Sequence, residues 1–393
     1  MVNSIHHSEI IFNTFMRLNI CEIYSNVVLK HIISIVISAF MLGYKGKTTN
    51  FESNSDNHRT TIAHFLNNGK WDSQKLEDIL KSTVLSIIYN EAKESGKPIY
   101  CFADDTIASK TKPSSKALHP IEDAYFHQSH LKKKQDYGHQ AVSVMLSCNG
   151  KTLNYAFVMY NKTMSKIAIL KSIIEELPVT PVVSYFLCDS WYTSIDIMKA
   201  FLEKGFYTIG ALKTNRVIYP LGIKQQIKEF TAYIHKTDTN VSLVTVGKRK
   251  YFVYRYEGKI NGIDDVVVLI SYPQEAFGES KALRAFISTD ISLHTEEILE
   301  KYLIRWEIEV FFRQVKNVLA MDKYQIRKST GIRRYWLIMS LVHFICSTAF
   351  SDCTSFESGY NYISNEIKTE RIRYIYNCGK NKIPFSDVIN FVA

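Results

Sequence analysis

A chain of 393 residues, 46% hydrophobic and 22% charged, has the composition of an ordinary globular protein with room for two or three domains and a sizeable core. Its formal net charge of +10 and pI near 9.0 suggest an acidic partner, most simply nucleic acid. Seven cysteines without CxxC spacing argue against a disulfide framework and for a cytosolic compartment. The longest apolar run, Ile32 to Leu42, is too short to span a bilayer, and the first residues lack the order of a signal peptide.

Residues 1–95 read as helical, with an apolar helix from Asn26 to Leu42, a second closed by Asn67-Asn68-Gly69, and a third from Ser73 to Glu94. His58, Arg59 and Lys70 at the helix ends suit either a helix-turn-helix-like DNA-binding unit or a plain bundle. From Ile99 the period changes. Ile99 to Ala103 is a short buried-type strand running into Asp104-Asp105-Thr106, and Ala141–Cys148 and Thr152–Tyr160 flank the hairpin signal Asn149-Gly150. Met164–Leu177 is a helix and Val182–Cys188 a strand that runs into Asp189-Ser190-Trp191-Tyr192. Ser194–Lys204 is a helix and Phe206–Leu212 a strand. Val241–Val246, Tyr251–Tyr256, Val266–Tyr272 and Leu283–Ser288 then read as strands of a β-rich segment. Tyr335–Ala349 is an apolar helix, and the tail beyond Asp352 carries no clear pattern.

Between them lies Tyr302 to Lys316, free of Gly and Pro and opened by Thr295-Glu296-Glu297, which reads as one helix. At 100° per residue, Tyr302, Arg305, Glu309 and Lys316 share an arc of about 60°, beside an apolar stripe of Ile304, Ile308, Phe311, Phe312, Val315 and Leu319. A solvated rim with Glu309 paired to Arg305 or Arg313 accounts for such a stripe taken alone. Glu307 falls on the opposite side.

The unbroken pattern Y-x2-R-x3-E-x6-K, with the Asp-Thr and Asp-Ser-Trp-Tyr motifs upstream, resembles the signature of DDE transposases of the bacterial insertion-sequence group known as family four. The resemblance covers roughly Asn54 to Phe350. It implies a ribonuclease H-like mixed sheet flanked by helices, whose β-β-β-α-β-α-β order the chain matches, with a β-rich insertion and an N-terminal helical domain. The expected divisions are 1–95 for DNA-end binding, 96–215 and 289–350 for the catalytic core, 216–288 for the insertion and 351–393 for a tail. The resemblance further implies that Asp105, Asp189 and Glu309 hold two Mg²⁺ ions, with Mn²⁺ as a substitute, and converge within about 4–8 Å. Asp105 is chosen over Asp104 because an Asp directly followed by Thr carries the role in that group, and alternation lets only one of the two face the site. Tyr302, Arg305 and Lys316 would grip DNA phosphates.

The implied activity is cut-and-paste transposition by a cytoplasmic bacterial enzyme. It would act on double-stranded DNA, both terminal repeats and target, as a homodimer in the DNA complex and without a membrane. A nuclease that only hydrolyses, or an inactive DNA-binding relic, are the alternatives. Lys110, Lys112, Lys116 and Lys132-Lys133-Lys134 form a basic run that is either solvated or tracks DNA. Glu122 and Asp123 read as solvated, and His127 and His130 as surface histidines rather than zinc ligands. The insertion has no Trp to stack a flipped base, which leaves a hairpin intermediate without its usual support.

Overall fold

The computed structural model describes residues 8–129, 133–350 and 355–392; His130, Lys132 and Cys353 lie outside them. Six helices come first: α1 Glu9–Arg17, α2 Ile20–Ile23, α3 Asn26–Ser38, α4 Thr48–Glu52, α5 Arg59–Asn68 and α6 Ser73–Ser95. Side-chain caps fix two of the starts, His58 accepting from the Thr60 N–H and Asp72 from the Gln74 N–H. Gly96 ends α6 in the left-handed conformation.

Then follow β1 Tyr100–Ser109, β2 Tyr125–Ser129, β3 Lys134–Cys148, β4 Lys151–Tyr160, α7 Lys166–Glu176, β5 Ser184–Cys188, α8 Ile195–Glu203 and β6 Phe206–Leu212. Strand β1 is parallel to β5 and β5 to β6, whereas β3 is antiparallel to both β1 and β4. The lateral order β4-β3-β1-β5-β6 is the ribonuclease H-like arrangement expected from the sequence. Asn149 and Gly150 both have positive φ, 49° and 82°, which is what a two-residue hairpin loop needs to match the twist of its strands. Strand β5 is buried along its whole length and β3 from Gly138 to Cys148, whereas β1 beyond Ala103 is mostly half-buried.

The remaining elements are β7 Val217–Ile218, β8 Gln225–Gln226, α9 Ile227–Phe230, β9 Val241–Val246, β10 Arg249–Ile260, β11 Ile263–Pro273, β12 Arg284–Ser288, α10 Thr295–Ile304, α11 Trp306–Arg313, α12 Ser329–Ser347, α13 Phe356–Lys380 and α14 Phe385–Val392. A π-helical turn, Gln314–Val318, follows α11. Strand β12 lies between β11 and β6, so the β-rich segment continues the core sheet into one of twelve strands.

Four expectations are revised. The aspartate pair lies in the middle of β1 and not at its end, because β1 runs six residues beyond Ala103, paired to β3 as far as Ser109–Gly138. The helix expected from Tyr302 to Lys316 breaks at Arg305, where α10 stops and α11 begins. The tail is helical: α13 packs on α12 and Ser364 Oγ donates to the Phe40 carbonyl. Asp123 is only partly exposed and pairs with Arg333 at 2.9 Å, whereas Glu122 is exposed as expected, its Oε2 accepting from the Ser329 N–H.

Candidate active site

In the parallel register of β1 and β5, Ala103 faces Cys188, and the next residue of each segment is an aspartate, Asp104 within β1 and Asp189 just past the end of β5. Two carboxylates therefore leave adjacent strands at one level. Alternation sends the side chains of Asp104 and Asp105 to opposite faces, and their partners do not overlap.

Asp104 faces the α10–α11 junction. Its Oδ2 accepts from Arg305 Nη1 at 3.0 Å, and Arg305 Nη2 lies 3.8 Å from Glu309 Oε1. The guanidinium thus stands between two of the carboxylates, with Asp104 only 16% and Arg305 15% exposed. Burial, reinforced by the Asp189 charge, pushes the Asp104 carboxyl up to about 7 despite the guanidinium beside it. Asp189 Oδ1 accepts the Trp191 N–H at 2.8 Å, which turns the chain just after β5. The break at Arg305 aims its guanidinium at β1, while Tyr302, one turn earlier, lies edge-on to Phe286 with its ring 5.9 Å from that guanidinium.

Asp105 faces the other way. Its Oδ1 accepts from Lys166 Nζ at 2.9 Å and from the Tyr192 hydroxyl at 3.3 Å, and its Oδ2 accepts from Gln140 Nε2. Of the residues expected at the site, Asp189, Arg305 and Glu309 gather around Asp104, and Asp105 does not join them. Among the described residues no three His, Cys, Asp or Glu side chains stand close enough together to hold a metal ion; Arg305 occupies the space between Asp104 and Glu309. The π turn carries Lys316 toward β1, where its Nζ donates to the Ile107 carbonyl at 3.0 Å. Lys110, expected on a basic loop, turns inward to the Asp322 and Tyr324 carbonyls and sits 3.5 Å over the Tyr324 ring. His127 is buried, its Nε2 3.2 Å from the Gly138 carbonyl.

Three residues of this neighbourhood escaped the sequence reading: Asp104 as the partner of Arg305, Lys166 as the partner of Asp105, and Gln140. Lys166 opens α7 directly after its Ser165 cap, a position where a cation opposes the helix dipole, and that misfit was the one available sign.

The carboxylate oxygens of Asp104, Asp189 and Glu309 are hard donors of the kind Mg²⁺ or Mn²⁺ takes, so they fit such an ion in chemistry, while in this arrangement Arg305 supplies the positive charge. Over residues 97–345, well over half of the chain, the sequence matches the family model described as transposase DDE domain. No curated protein matches the chain.

Proposed function

Because the chain belongs to the transposase DDE domain family, we propose that it is a cut-and-paste transposase of the family-four type, acting as a homodimer on the terminal repeats of its own element. The observation that carries this reading is the Asp104–Arg305–Glu309 bridge beside Asp189. Asp104, Asp189 and Glu309 would hold two divalent cations, which when bound lower the barrier to in-line phosphoryl displacement by stabilising the attacking and leaving oxygens. Asp104 takes the first position in place of Asp105, since its carboxylate meets the guanidinium that also reaches Glu309 and lies close enough to Asp189 to feel that charge.

The chain's own groups bind and orient the DNA. Arg305 offers a planar fork that suits a phosphate as well as a carboxylate, and Lys316, which meets β1 at Ile107, three residues beyond Asp104, a point charge. In the first step water attacks the phosphorus at the element end and the P–O3′ bond breaks, freeing a 3′-hydroxyl. In the second, that hydroxyl attacks a target phosphodiester and releases the target's own 3′-hydroxyl. Residues 1–95, rich in short helices, are assigned to end binding, and 216–288 to the insertion.

Purified protein incubated with Mg²⁺ and a duplex carrying the DNA that flanks its coding sequence should give both cleaved ends and strand-transfer products. Asp104→Asn, Asp189→Asn and Glu309→Gln should each abolish cleavage while leaving duplex affinity within about threefold. Products that stop at cleavage would identify a hydrolytic nuclease instead, and full activity in any one variant would exclude that residue.

A further inference from the structure

We propose that Asp105 is a positioning residue, which holds the Lys166 ammonium beside the active site as an additional contact for a DNA phosphate, and is not itself a metal ligand. The proposal rests on the transposase reading. Its basis is the way the Asp105 carboxylate is used. Three protein donors converge on its two oxygens, from Lys166 of α7, Gln140 of β3 and Tyr192 in the turn after β5. A carboxylate so engaged is oriented from every side and has its charge balanced by Lys166, with 17% and 15% of the two side chains exposed. Asp104 is as buried but less fully engaged: its donors are the Asp105 N–H and one side-chain cation, Arg305, which it shares with Glu309.

What Asp105 holds is well placed. Lys166 Nζ lies 4.7 Å from the centroid of the Trp191 ring, and Lys213 Nζ 5.2 Å from the same ring. The Trp191 backbone N–H is bonded to Asp189, and the residue is 49% exposed. Two ammonium groups thus flank an open indole at the residue two places after Asp189, which is a surface for a nucleotide phosphate adjoining the reacting one. An ammonium has three donors, and Asp105 Oδ1 accepts from one of them. Lys166 is also the first residue of α7, where the helix dipole repels a cation. A carboxylate beneath it offsets that repulsion and fixes a long, flexible side chain in one direction.

The test separates metal binding from DNA binding. Mn²⁺ affinity is titrated by electron paramagnetic resonance on protein bound to a short duplex, and duplex affinity is measured against salt. Asp105→Asn should keep Mn²⁺ affinity within about twofold of wild type, whereas Asp189→Asn should lose tenfold or more. Lys166→Gln should flatten the log–log salt slope by about 0.9, one phosphate contact, and Lys166→Arg should restore it. Asp105→Asn and Lys166→Gln should each slow cleavage by about tenfold, and the double variant by no more than either alone. Loss of Mn²⁺ binding in Asp105→Asn would make Asp105 a ligand, and an unchanged slope in Lys166→Gln would remove the phosphate contact; either result overturns the proposal. Should Asp105→Asn fail to fold, the double variant, which replaces the ion pair by an amide pair, carries the Mn²⁺ titration. A wild type that never cleaves, yet whose variants show these binding differences, would sink the transposase reading and leave the anchor standing.

Discussion

Arg305 is the residue on which the site turns. It neutralises Asp104, reaches toward Glu309 and marks the break between two helices. The 100° periodicity of the sequence put it on one stripe with Tyr302 and Glu309, and that much was legible. Which aspartate of the pair it meets was not, because alternation fixes that the two differ but leaves the parity open until the register of β1 against β5 is known. Glu307 and Glu309 test the phase directly. Glu307 lines a cavity of about 440 Å³ with Tyr100, Phe311 and Phe356, on the side away from Asp104, and burial raises its carboxyl. In end-cleavage assays Glu307→Gln should therefore stay within about threefold of wild type and Glu309→Gln fall by several orders of magnitude. The reverse ranking would mean that the helix presents its other face to the DNA.

At the scale of elements, local signals and tertiary ones diverge. The hairpin at Asn149-Gly150 and the α8 start at Ser194 were readable because turn and cap chemistry is local. Helix α13 was not, since its mixed pattern becomes an amphipathic face only once α12 is there to cover it; its buried residues are Phe356, Gly359, Ser364, Ile363, Ile367 and Cys378. Gly359 shows how close that contact is: a Cβ there would lie 1.9 Å from the Cys346 carbonyl oxygen of α12. Gly359→Ala should lower stability by about 1–3 kcal/mol through forced separation of the two helices, read as a shift in the urea midpoint. An unshifted midpoint would show that α13 can move off without loss. The π turn was equally hidden, for nothing in Gln314 to Val318 announces a widened turn, and it decides that Lys316 reaches the Ile107 carbonyl.

For the molecule as a whole, stability should depend on acidity through its interior histidines. His343, 2% exposed, is pushed down to about 3 by burial, and its Nε2 lies 3.0 Å from Gln314 Oε1. Its folded value lies below the ordinary one, so the unfolded chain takes up the proton first. The stability present above pH ~6.5 is then lost as pH falls toward 3, by up to about 1.4 kcal/mol per unit. Urea unfolding at pH ~7 and ~5 should show a smaller drop in His343→Leu than in wild type; equal drops would assign the loss to other groups, such as His139 and His127, which burial lowers too. The +10 charge belongs to the same scale and requires duplex affinity to fall steeply with salt. The long sheet has a consequence of its own. Strand β12 is bonded by β11 on one flank and β6 on the other, so the β-rich segment is a cover as well as an addition. A chain trimmed of residues 241–273 would bare the β12 row of N–H and C=O groups to solvent as a raw edge, a template for pairing between copies. Such a shortened protein should aggregate before its chemistry could be measured.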